Sequence, residues 1–172
     1  MLTAAHCIDP VDGVRIGKHN LYQEEADTEE FEILEVILHP DYMTVFPPRY
    51  DVALLILDGA SKYDAVALDD GVSYPLSSGD DVGIIGWGRM QSGSKSNVLM
   101  HAEINYLTNQ ECLSYEGRVK DDMLCVYTVD SGASACSGDS GGPAFIENAG
   151  DQMSSFVQIG MCTFCISDGN IQ

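Results

Sequence analysis

The sequence predicts an all-β protein built from many short strands, arranged as a barrel or a sandwich. Three observations point there. Short apolar runs rich in Val and Ile recur along the 172 residues. Seventeen glycines, together with Asp and Pro, supply turn signals between them. No repeat of roughly 20–50 residues appears, which excludes a solenoid.

In order along the chain, the first strand candidate is Phe31 to Leu38. Glu32 and Glu35, three apart, keep a helix open, but Ile33, Val36 and Ile37 are β-branched and His39-Pro40 ends the run. Val52-Ala53-Leu54-Leu55-Ile56-Leu57 is continuous, apolar and bounded by Asp51 and Asp58-Gly59. It predicts a strand buried on both faces. Val82 to Gly88 and Phe156 to Met161 read the same way. The polar stretch from Leu68 to Asp81 is the linker candidate. Before it, Glu24, Glu25, Asp27, Glu29, Glu30, Glu32 and Glu35 form an acidic cluster. Its spacing is not that of an EF-hand, so a solvated loop is the first reading and calcium the second.

The charge narrows the function. Eight Lys+Arg against 27 Asp+Glu leave a net charge of −19. So acidic a surface repels phosphate backbones, which argues against nucleic acid and anionic membranes as partners. The apolar run at Val52 to Leu57 is six residues long, whereas a membrane helix needs about eighteen or more. The chain starts at Met1-Leu2-Thr3-Ala4-Ala5-His6-Cys7, without the basic and apolar regions of a signal peptide. It reads as the interior of a longer protein.

Six cysteines suggest an oxidising compartment. Cys162-Thr163-Phe164-Cys165 has C-x-x-C spacing, but no second such pair exists and no His follows His101. Buried strand cysteines are the better reading than a redox or zinc site, so no metal site is expected from them.

Gly138-Asp139-Ser140-Gly141-Gly142-Pro143 carries the strongest chemical signal. Glycines around a serine let the backbone turn tightly, and consecutive N–H groups there can address one oxyanion. The stretch also fits the G-x-S-x-G elbow of α/β-hydrolases, but that fold needs its His after the serine. All four histidines precede Ser140. The order Asp, His, Ser cannot use His6, because the first aspartate is Asp9. The order His, Asp, Ser survives with His6, Asp51 and Ser140.

With these residues in view, the chain resembles the chymotrypsin/trypsin family of serine peptidases. Leu2 to Cys7 is similar to its histidine motif, Asp51 to Leu55 to its aspartate motif and Gly138 to Pro143 to its serine motif. His39-Pro40-Asp41-Tyr42 and Gly86-Trp87-Gly88 are further family-like landmarks. The resemblance implies two antiparallel β-barrels, residues 1–72 and 73–172, with the site between them. The first would be incomplete at its N-terminal side and the second would lack its C-terminal strand and helix. It implies a secreted, monomeric serine endopeptidase acting on protein or peptide substrates, open to protein inhibitors, with no cofactor. Catalysis would fall to His6, Asp51 and Ser140, and the oxyanion hole to the N–H groups of Gly138 and Ser140. Ser134 would lie at the base of the specificity pocket, and Thr163, Phe164 and Cys165 would line it. Because Ser134 is uncharged and Cys165 narrows the mouth, medium apolar side chains are expected. Cys112 and Cys125 would form a disulfide. Asp139 would take an activating N-terminal ammonium. As a fragment the chain would have little activity. The competing reading is a non-catalytic homologue that binds or regulates.

Overall fold

The computed structural model describes residues 1–90, 92–115, 117–127, 137–147, 156–164, 166–167 and 170–171. These residues form an all-β chain with one seven-residue helix and a single 3₁₀ turn.

Strands β1 (Leu2–Thr3), β2 (Gly13–Ile16), β3 (Glu29–Leu38) and β4 (Ala53–Leu57) make a four-stranded antiparallel sheet in the order β1-β4-β3-β2. β-Branched content wins over the three-residue Glu spacing, and β3 starts two residues before Phe31. The register shifts between Ile33 and Glu35, leaving Leu34 as the extra residue that bends the strand. The expectation for Val52 to Leu57 needs correcting. Ala53 and Leu55 are buried, but Leu54 and Ile56 are 46% and 43% exposed. An apolar run says nothing of how many faces are covered, and only one is covered here.

The acidic cluster is not one loop either. Glu29, Glu30, Glu32 and Glu35 lie on β3, where Glu30 accepts the Arg15 Nε–H at 2.8 Å. The loop carries Glu25, whose carboxylate accepts the N–H groups of His19 and Asn20 at 2.8 and 3.0 Å. Those bonds hold its pKa below the ordinary glutamate value, with the Lys18 ammonium 3.8 Å away adding to the effect.

The second sheet contains β5 (Ala67–Leu68), β6 (Asp81–Gly86), β7 (Met100–Leu107), β8 (Cys125–Tyr127), β9 (Pro143–Glu147) and β10 (Phe156–Met161). Their order is β5-β10-β9-β6-β7-β8, antiparallel except for the short β5–β10 pair. Val82, Ile84, Ile104 and Ala144 form its buried core, flanked by Tyr106, Val126, Ile146 and Ile159. The helix α1 (Asn109–Tyr115) begins with reciprocal capping. Glu111 accepts the Thr108 N–H and hydroxyl, and the Glu111 N–H returns to Thr108 Oγ1. Cys112 on α1 and Cys125 on β8 form a disulfide. A last hairpin pairs β11 (Ile166–Ser167) with β12 (Asn170–Ile171).

Candidate active site

β1 runs into a 3₁₀ turn, Ala5–Cys7, that is anchored by the buried Ala4 and Ala5 and closed by Cys7 N–H to Ala4 C=O at 3.1 Å. His6 projects from it. Forty-five residues later, Asp51 sits at the mouth of β4. Asp51 Oδ2 lies 2.6 Å from His6 Nδ1, and Asp51 Oδ1 accepts the His6 backbone N–H at 2.9 Å. The carboxylate side chain is 2% exposed and the imidazole 36%. A buried carboxylate is tolerated because both oxygens meet donors. A carboxylate only accepts, so the ring hydrogen belongs on Nδ1 and Nε2 keeps its lone pair.

The turn that presents Asp51 is strained. Tyr50 has φ 50°, in the left-handed region, at a cost of about 1–3 kcal/mol for a bulky residue. The Val52 N–H closes over Asp51 to the Tyr50 C=O at 2.8 Å.

The partner of Nε2 is one that sequence reasoning did not find. Cys7 Sγ lies 3.5 Å from it. Burial, and then the charge of Asp51, push the Cys7 thiol up, so it stays an S–H donor. The same influences, again burial first, raise the Tyr42 phenol, which borders the site. Adjacency of His6 and Cys7 was the available signal, but a 3₁₀ turn is needed to bring both side chains to one side. No hydrogen bond joins Ser140 Oγ to His6 among the described residues.

Ser140 comes from a loop leading into β9. Its shape is set by backbone bonds: Gly142 N–H to Asp139 C=O, Gly141 N–H to Cys162 C=O, and Cys162 N–H back to Gly142 C=O, at 2.8–2.9 Å. Asp139 Oδ1 accepts the Gly88 N–H at 2.8 Å, which ties the loop to the segment after β6. Gly138 has φ 103°, and a Cβ there would meet Gly88 Cα and Lys95 Cε at 3.2 Å. Only glycine suits that conformation and that gap. The Gly138 and Ser140 N–H groups donate to no acceptor among the described residues.

His6, Gly138, Ser140, Thr163 and Phe164 all line one cleft of about 350 Å³. Tyr42, Thr44, Phe46 and Pro48 close it from the first half of the chain. Phe46 packs edge-on against Phe164, centroids 5.6 Å apart, and the Arg118 guanidinium lies over the Phe46 ring. Ser134, Cys136 and Cys165 lie outside the described residues. A larger hollow of about 550 Å³ lies against His101, Glu103 and Phe145 on the second sheet. Size does not choose between the two; the His6–Asp51 pair facing a serine does.

Comparison with known proteins gives the family of the chain. A family model described as Trypsin matches residues 1–170. The chain is 34% identical to Kallikrein-8 of Homo sapiens over 158 residues, covering 87% of this chain and 59% of that protein. It is 31% identical to Trypsin V-A of Rattus norvegicus over 149 residues, covering 83% and 59%. It is 31% identical to Cathepsin G of Mus musculus over 161 residues, covering 91% and 61%. The chain therefore spans about three fifths of the length of these relatives.

Proposed function

Because the chain belongs to the trypsin family, we propose that it carries the site of a serine endopeptidase, with residues 1–72 and 73–172 as the two walls of its cleft. The observation that supports this most is the 2.6 Å approach of His6 Nδ1 to the buried Asp51 carboxylate, in a cleft that Ser140 also lines. Ser140 Oγ attacks a peptide carbonyl while His6 Nε2 takes its proton. The proton then goes to the leaving amine, and water hydrolyses the acyl-enzyme by the reverse route. Asp51 keeps the hydrogen on Nδ1 and stabilises the imidazolium that forms. The N–H groups of Gly138 and Ser140 receive the oxyanion, each such donor being worth about 2.7–4 kcal/mol in the transition state. No metal or organic cofactor has a part in these steps.

The substrates are protein or peptide chains with medium apolar side chains before the scissile bond. Uncharged Ser134 offers no partner for Lys or Arg, and Phe46, Pro48 and Phe164 give the cleft apolar walls. Cys165 beside Phe164 would narrow its mouth. The Cys112–Cys125 disulfide supports a secreted protein working in an oxidising compartment, where protein inhibitors would reach the cleft.

One observation favours a non-catalytic homologue that binds without cutting: Nε2 meets the Cys7 thiol and makes no hydrogen bond to Ser140 among the described residues. A fluorophosphonate probe separates the two readings. The endopeptidase reading expects labelling, slow in a chain that spans about three fifths of its relatives, that maps to Ser140 and disappears in Ser140→Ala and His6→Ala. A folded chain that takes no label would leave the binding reading standing.

A further inference from the structure

We propose that Asp122, from the second half of the chain, is a positioning residue for Asp51: it holds the strained turn that aims the Asp51 carboxylate at His6. The catalytic meaning of this rests on the endopeptidase reading; the geometry does not. Asp122 Oδ2 accepts the Tyr50 backbone N–H at 3.2 Å across 72 residues of sequence. The same carboxylate receives Arg49 Nε–H, with Oδ2 at 3.0 Å and Oδ1 at 2.7 Å. The two side chains are only 30% and 16% exposed, so water and salt screen the pair less than an open surface contact. Arg49 is the main reason the Asp122 pKa is depressed, which keeps it ionised and accepting.

Tyr50 needs such a hold. Its φ of 50° is a conformation a bulky residue leaves unless its surroundings fix it. Relaxing to an ordinary value near −60° is a rotation of roughly 110° about the Tyr50 N–Cα bond, one residue before Asp51. The Tyr50 C=O is fixed by the Val52 N–H and its N–H by Asp122. The ring is stacked on His39, centroids 5.0 Å apart and planes within 10°, and the Arg49 guanidinium lies 5.2 Å from the ring centre. Of these contacts, the one to Asp122 brings in the other half of the molecule. Arg49 has its own backbone anchor, paired with Met43 in both directions at 3.0 and 3.2 Å. Its side chain therefore serves to orient Asp122 rather than to close its own loop. The two halves of the site meet here, outside the cleft.

The test compares Asp122→Ala, Asp122→Asn and Arg49→Met in the full 172-residue chain. Arg49→Met removes the ion pair but leaves a carboxylate for the Tyr50 N–H. Asp122→Asn leaves a weaker acceptor, and Asp122→Ala leaves none. The primary readout is the proton NMR signal of His6 Nδ1–H, recorded well below each variant's melting temperature. It should be lost or shifted most in Asp122→Ala, less in Asp122→Asn and least in Arg49→Met. Fluorophosphonate labelling of Ser140 should slow about a hundredfold, about tenfold and less than tenfold in the same order, the scale expected for an ångström of misplacement. Adding Tyr50→Asn to Asp122→Ala should restore the signal, since Asn adopts the left-handed conformation more readily. A purely structural Asp122 would lower the melting temperature and leave the signal of the folded chain unchanged, which would overturn the proposal. Equal loss in Arg49→Met and Asp122→Ala would overturn the route through Tyr50. If Asp122→Ala does not fold, Asp122→Asn against Arg49→Met decides on the same signal. If the parent chain takes no label, the endopeptidase reading fails while the NMR signal still judges Asp122.

Discussion

His6 and Asp51 meet through side chains, 2.6 Å apart, at the edge of a sheet whose Leu54 and Ile56 stay exposed. Ser140 stands on a loop shaped by backbone, with Gly138 and Gly141 at φ 103° and 80°, beside a sheet whose core is buried. The two halves of the site thus depend on different chemistry. In the first, one side-chain atom decides what the site can do. In the second, glycines without side chains set the backbone that presents Ser140. Substitutions in the first half should damage chemistry and spare the fold; those in the second should damage both.

The largest effect expected is that of Asp51→Asn. The amide keeps the shape but can donate to Nδ1, which moves the ring hydrogen to Nε2 and removes the base. Reactivity of Ser140 should fall about 10⁴-fold, as the wrong tautomer costs in such triads. Circular dichroism should show the fold intact. A loss of fold as large as the loss of labelling would mean that the two halves do not differ as argued.

Gly141→Ala probes the other half. A Cβ there would sit 2.5 Å from Thr3 Oγ1, on backbone with φ 80°. The backbone term alone costs about 1–3 kcal/mol. Denaturant melts should show that loss and more. Combining it with Thr3→Ala should recover part, with a coupling of about 0.5–3 kcal/mol. Additive losses would show that Thr3 of the first sheet and Gly141 of the loop before β9 do not press on each other.

The same division explains what was legible in the sequence. Glycines and a serine in one hexapeptide carry their backbone requirement in plain view, and so does a His followed 45 residues later by an Asp ahead of an apolar strand. Strand identity in β3, β4, β6 and β10 was legible for a similar reason, since β-branched runs between turns allow little else. Burial was not. Leu54 and Leu55 are the same residue type on opposite faces of β4, and only packing tells them apart. Contacts made by single turns or between distant segments were also hidden. The Cys7 thiol at Nε2 depends on a 3₁₀ turn, and Asp122 reaches Tyr50 across both halves. Neither leaves a pattern in composition or spacing.

The two sheets should differ in how they answer truncation. Val82 is fully buried in the second sheet, so Val82→Ala should cost roughly 2 kcal/mol, two methylene equivalents and a residual cavity. Leu54→Ala removes more atoms from a half-exposed position in the first sheet and should cost less, under about 1.5 kcal/mol by lost area. Urea melts decide. If Leu54→Ala costs as much as Val82→Ala, that face of β4 is covered in solution and the contrast between the sheets disappears.

The smallest effect lies in the segment joining the halves. Asp70 follows β5 and closes a turn by accepting the N–H groups of Val72 and Ser73 at 2.9 and 2.7 Å and the Ser73 hydroxyl at 2.7 Å. The Ser73 backbone bond is the largest cause, and together these bonds lower its pKa from 3.8 to about 2. A carboxyl with a depressed folded pKa favours the folded state above its unfolded value and loses that contribution as pH falls through the folded one. Asp70 should therefore support its turn fully above about pH 4 and release it only towards pH 2. The group is exposed, so the gain to overall stability is slight and the local readouts matter most. The ¹³C carboxyl shift of Asp70 should titrate near 2, with amide exchange at Val72 and Ser73 speeding up over the same range. Asp70→Asn should erase that pH dependence with little change in melting temperature, because an amide oxygen still accepts the N–H groups but its nitrogen cannot take the hydroxyl hydrogen. A midpoint near 3.8 would show that the joining turn is not held by Asp70, and that the two halves are linked by flexible chain.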